Sequence, residues 1–147
     1  MSSTTLAPSK YFLKKSIQKA ENTIIRKGGI VTSGKVIAEQ SFGFWTNFFD
    51  SHHYRLIGGS PIHSFPNKPP HANRSLINQK LNRIRAFRNR IYHNEPICFN
   101  SRNIDFTEAK DIKTEIYELL EWVDTDLTEY VEYFNGIQAK IDTAINI

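Results

Sequence analysis

Apolar positions recur at helical spacing along most of this 147-residue chain. Leu13, Ile17, Ala20 and Ile24 predict a first helix over residues 10–27, stopped by Gly28-Gly29. Ser33 predicts the cap of a second helix over 34–52. In that helix Ile37, Ser41, Phe44, Trp45 and Phe48 share one face, while Phe42 and Phe49 fall off it. A helix aromatic on more than one side is expected to be buried on more than one side, and one of those sides is a candidate subunit interface.

Residues 53–72 carry Gly58-Gly59, Pro61, Pro66 and Pro69-Pro70, which predicts a long irregular loop. Loops of that length in compact domains are often functional. A third helix is predicted over 73–92. Pro96 ends it, because the residue before a proline, Glu95, is pushed out of the helical region. A fourth helix is predicted from near Thr107 to Phe134, with Ile112, Ile116, Leu119, Val123, Leu127, Val131 and Phe134 as its stripe and Asn135-Gly136 as its stop. Residues 137–145 predict a short last helix. No segment alternates as a half-buried strand does. The expectation is an all-α fold: a compact bundle of four to five helices, in one domain over 10–147 behind a flexible N-terminus, residues 1–9.

Composition adds limits. The apolar fraction of 39% and charged fraction of 23% are those of an ordinary globular domain. No apolar run is long enough for a membrane span, and the small, polar start lacks the apolar core of a secretory signal. With Cys98 as the only cysteine, an intrachain disulfide is excluded and a reducing, cytoplasmic setting is expected.

The net charge of +4 conceals a segregation. Residues 1–72 hold nine Lys/Arg and three Asp/Glu, residues 73–102 seven and one, and residues 103–147 three and eleven. A basic block of this kind attracts a polyanion such as RNA, or else pairs with the acidic helix inside the fold.

The chemistry concentrates at the end of the third helix, Arg88-Asn89-Arg90-Ile91-Tyr92-His93-Asn94-Glu95-Pro96. With Ile84 as zero and about 100° per residue, Ile77, Leu81, Phe87 and Ile91 form one apolar stripe, and Arg88 falls inside it. A charge there needs a partner or a job, since burying it unpaired is costly. Arg83, Arg85 and Arg90 fall on the flanks, where they are candidates to hold RNA phosphates. His93 lies about 140° from Arg88 on a straight helix. Two arrangements would reunite the pair: a distorted last turn before Pro96, or a composite site in which a symmetric dimer brings Arg88 and His93 together across two chains.

Such a pair suits RNA cleavage that needs no metal. Histidine titrates near neutrality and can take the proton from a ribose 2′-hydroxyl. The freed oxygen attacks the adjacent phosphorus, and an arginine stabilises the charge gathering on the phosphoryl oxygens. A second histidine protonates the leaving 5′-oxygen. The products are a 2′,3′-cyclic phosphate and a 5′-hydroxyl. DNA, without the 2′-hydroxyl, is spared.

Residues 81–97, LNRIRAFRNRIYHNEPI, resemble the signature helix of Abi-like proteins in the HEPN superfamily: an arginine, a polar residue, three more residues, then histidine, followed by a Glu-Pro-Ile type of turn. Residues 41–45, SFGFW, resemble a second block of that family, so the resemblance spans residues 36–97. It implies an all-α fold, a homodimer, and metal-independent endoribonuclease activity of the toxin, abortive-infection or antiphage kind. An antitoxin or regulatory protein would be a further partner. No cofactor is implied. Carried over by position, Arg88 and His93 are the catalytic pair and Asn89 the polar residue beside the arginine, with Tyr92, Asn94 and Glu95 as supporting residues. A related toxin branch has a modifiable tyrosine two positions after the histidine. Glu95 stands there instead, and Tyr92 is out of register.

Other readings compete. Arg88 is able to pair with Glu115 or Glu118 as a structural bridge, and the whole chain is able to serve as a catalytically inactive RNA- or protein-binding dimerisation module. His52-His53 has no acidic or cysteine partner at ligand spacing, so no metal site is expected. His63 and His71 flank the proline-rich loop and are expected to be exposed.

Overall fold

A computed structural model describes residues 11–100 and 103–145. The expected flexible N-terminus, residues 1–9, lies outside the described residues. The chain divides into two compact units, one ending at Gly59 and the other beginning at Ser60.

In the first unit, α1 (Phe12–Arg26) turns Ala20 and Ile24 inward. Its stop is the predicted one. Gly28 adopts a left-handed conformation (φ 72°), and the Gly29 amide reaches back to the Ile24 carbonyl at 2.9 Å. The second predicted helix does not run through. It is three pieces, α2 (Ser33–Ala38), α3 (Phe42–Thr46) and α4 (Ser51–Leu56), with a 3₁₀ turn over Asn47–Phe49. The breaks fall where polar side chains cap new helices. Thr32, not Ser33, caps α2. Ser41 Oγ accepts from the Phe44 amide, and Asp50 Oδ1 accepts from the His52 and His53 amides. Breaking the helix changes which aromatics face inward. Phe44 and Phe49 are buried, with Trp45 and Phe48 both packed edge-on against Phe44, so burial on two sides of one helix is not needed.

The loop expected over 53–72 is partly helical: in the first unit α4 reaches Leu56, and in the second a 3₁₀ turn covers Ser60–Ser64. Then α5 (Arg74–Tyr92) begins at an Asn73 cap. A small antiparallel hairpin follows, β1 (Phe99–Asn100) with β2 (Asn103–Ile104), an element the sequence pattern did not predict. The predicted fourth helix splits into α6 (Thr107–Val123) and α7 (Asp126–Tyr133). Asp124 adopts an extended conformation, and its carboxylate accepts from the Asp126 amide. The last helix, α8 (Ile137–Ile145), lies where expected. The described residues are thus predominantly α-helical, in eight α-helices rather than four or five.

α5 lies against α6. Ile77 is completely buried, and Phe87, Ile112, Leu119, Trp122 and Ile141 are buried with it. Ion pairs flank this core. Lys80 meets Glu118 at 2.6 Å, and Arg83 meets Glu115 at 2.5 Å. Part of the basic segment therefore pairs with the acidic helix, as one of the two readings of the charge segregation anticipated.

Candidate functional site

The last turn of α5 is regular. The His93 amide donates to the Asn89 carbonyl at 2.9 Å, the bond an undistorted helix makes. The helix ends because Asn94 is left-handed (φ 56°): its amide bonds the Ile91 carbonyl, and the Glu95 amide bonds the Arg90 carbonyl. The stop thus comes before the residue that Pro96 restricts. His93 is the C-terminal cap, exposed, with its ring edge-on to Tyr92 at 5.8 Å. Tyr92 and Asn89 are exposed as well.

Because the turn is undistorted, Arg88 and His93 remain about 140° apart around α5. One chain does not bring them together. The distorted last turn, one of the two arrangements that would reunite them, is absent.

The four arginines of this helix have different surroundings. Arg83 holds Glu115. Arg90 reaches across the turn, donating to Glu108 at 2.5 Å and to the Pro96 carbonyl at 2.8 Å, with Glu95 at 3.6 Å. Arg85 is half-buried. Arg88 has neither Glu115 nor Glu118, and it is exposed instead of buried. The expected conflict of a charge on a buried stripe is resolved because the stripe is uncovered at this end: Ile91 is 50% exposed.

Arg88 stands at an open groove of about 580 Å³ lined also by Ile84, Phe87, Ile112, Ile116, Phe134 and Ile137. Phe134 is 68% exposed. Lys113 and Tyr117 also line this groove, and the Lys113 ammonium sits 5.4 Å over the Tyr117 ring. The Tyr117 hydroxyl donates to Glu132, and the Asn135 amide donates to both at 2.9 Å. The hydrogen bond to Glu132, with burial adding to it, holds the Tyr117 hydroxyl above its ordinary value. The same bond, with that from Asn135, holds Glu132 below its own.

The first unit contains a pair that sequence reasoning missed. His53 is 97% buried by its side chain, its Nδ1–H donates to Asp50, and its Nε2 is buried without a hydrogen-bond partner. Burial pushes the Asp50 carboxyl up. The amide and ring of His53 and the amide of His52 outweigh that and hold it below its ordinary value. The legible signal was the string Asp-Ser-His-His, an N-cap followed three positions later by a histidine. Among the described residues no group of three His, Cys, Asp or Glu is placed to hold a metal ion, and no helix is long and apolar enough to cross a membrane. His63 and His71 are exposed, as expected.

No family model, no curated protein and no solved structure matches this chain.

Proposed function

We propose that this chain is a metal-independent endoribonuclease of the HEPN kind, acting as a homodimeric toxin or antiphage effector, with Arg88 and His93 as its catalytic pair. The observation that carries the reading is Arg88. It is exposed and pairs with neither Glu115 nor Glu118 of the acidic helix, while Arg83 and Arg90 are held by carboxylates. An arginine in that state is ready for a phosphate.

His93 takes the 2′-hydroxyl proton, and the 2′-oxygen forms a bond to phosphorus as the bond to the 5′-oxygen breaks. Arg88 stabilises the added charge on the phosphoryl oxygens. A histidine of the second copy returns a proton to the leaving oxygen. Two chains are needed because α5 holds its own Arg88 and His93 on different faces. The uncovered stripe with Ile91 and Phe134 gives a second copy an apolar surface to cover. Tyr92 and Asn94 set the His93 ring and turn, while Glu95 helps hold Arg90.

The separation of Arg88 from His93 within one chain also favours a second reading, a silent module that binds RNA or protein without cutting. Cleavage of mixed RNA in EDTA decides between them. The ribonuclease reading expects a 2′,3′-cyclic phosphate product that disappears in His93→Ala and in Arg88→Ala. Undiminished cleavage by His93→Ala contradicts it, and no cleavage by the wild type favours the module.

A further inference from the structure

The proposed substrate is a polyanion, yet the cations of α5 are largely committed: Lys80, Arg83 and Arg90 face carboxylates of α6. Besides Arg88, a row of cations clear of carboxylates stands on α1. With Lys15 as zero and about 100° per residue, Lys19, Asn22 and Arg26 all fall within 40° of it, and Tyr11 projects to the same stripe. Ala20 and Ile24, the buried residues of α1, lie on the opposite side. Lys15, Lys19, Asn22 and Arg26 are exposed, and so is Tyr11 at 42%. No carboxylate of the described residues pairs with Lys15, Lys19 or Arg26, while Lys27, off the stripe, holds Glu39 at 3.3 Å. A groove of about 450 Å³ is lined by these three cations with Gln18 and Asn22.

We propose that this stripe of α1 is a binding track for single-stranded RNA, with Lys15, Lys19 and Arg26 on successive phosphates and Tyr11 stacking a base. From Lys15 to Arg26 the helix rises about 16 Å, which a few nucleotides span. The combination of a cationic track with an exposed ring and side-chain amides is the one that sequence-tolerant single-strand binding uses. An anionic lipid surface would engage the same charges. However, the exposed apolar side chains of α1, Phe12, Ile17 and Ile25, fall about 60°, 200° and 280° around the helix from Lys15, so they do not line up with the cationic stripe as one face to sink into a bilayer.

This inference rests on the reading of RNA as the ligand, and its test separates the two. The probe is a fluorescent 2′-O-methyl oligouridine, which binds but has no free 2′-hydroxyl to react. Its affinity for the wild-type chain is measured by anisotropy across a salt series. In Lys15→Gln/Lys19→Gln/Arg26→Gln, with unchanged circular dichroism, the slope of log K against log salt becomes shallower by about 2. Tyr11→Ala weakens binding about tenfold or more with the slope unchanged. An unchanged slope in the triple variant overturns the proposal. So does binding to phosphatidylserine vesicles that the triple variant loses while its oligonucleotide slope stays at the wild-type value. If the slope falls but RNA is never cut, the track stands and the ribonuclease reading fails.

Discussion

The Arg90 guanidinium donates to Glu108 at 2.5 Å, joining the last turn of α5 to the first turn of α6. The same side chain binds the Pro96 carbonyl and approaches Glu95, so one arginine fixes both ends of the segment that follows His93. Arg90 is therefore a positioning residue. Arg90→Ala is expected to cost about 1 kcal/mol in urea unfolding, in the range of partly exposed ion pairs. In the cleavage assay it lowers the turnover of bound RNA more than it weakens binding. An equal stability in urea contradicts this role.

Asn94 is the left-handed residue that ends α5. Glycine adopts that conformation freely and alanine does not. Asn94→Gly is expected to keep or slightly raise the melting temperature, whereas Asn94→Ala costs about 1 kcal/mol. If thermal unfolding finds the two variants equal, the turn does not depend on that conformation.

Asp50 caps α4 and receives the His53 ring. Its carboxyl is held below the ordinary 3.8, so its folded form binds a proton less readily than its unfolded form. The stabilisation is complete above that ordinary value and is lost as pH falls through the lower, folded one. Asp50→Asn keeps a competent cap but has no charge to lose. Acid unfolding curves are therefore expected to show the wild type losing its advantage over Asp50→Asn as pH drops below about 3.8. Parallel curves for the two proteins would contradict the pairing.

The Tyr117 hydroxyl is held up chiefly by its hydrogen bond to Glu132. Ultraviolet titration of the tyrosines is expected to show one group above the ordinary 10.0, and Glu132→Gln returns it toward that value. A titration curve unmoved by the substitution contradicts the contact.

Much of the fold was legible in the sequence, since α1, α5 and α8 are bounded by strong local signals: Gly28-Gly29, the Asn73 cap and Asn135-Gly136. The errors share a physical origin. An apolar pattern continuous enough to suggest one helix was interrupted by Ser41, Asp50 and Asp124, short polar side chains that satisfy a new helix start better than they continue an old one. The paired strands β1 and β2, two residues each, are too short to carry a period. At the site, periodicity placed Arg88 on the apolar stripe correctly. Whether that stripe would be covered depends on tertiary packing, which no local pattern encodes. The same holds for Arg83 and Arg90, whose carboxylate partners come from a different helix.

The measurement that bears most directly on the two-chain site is cleavage by an equimolar mixture of Arg88→Ala and His93→Ala, each inactive alone. A mixed dimer regains one pairing of Arg88 with His93 across the two chains but holds one His93 instead of two, so exchange of subunits is expected to restore activity above that of either variant alone and below about a quarter of wild type. A mixture that stays silent while wild type cleaves, after exchange has been shown by mass, contradicts a site built from Arg88 of one chain and His93 of the other.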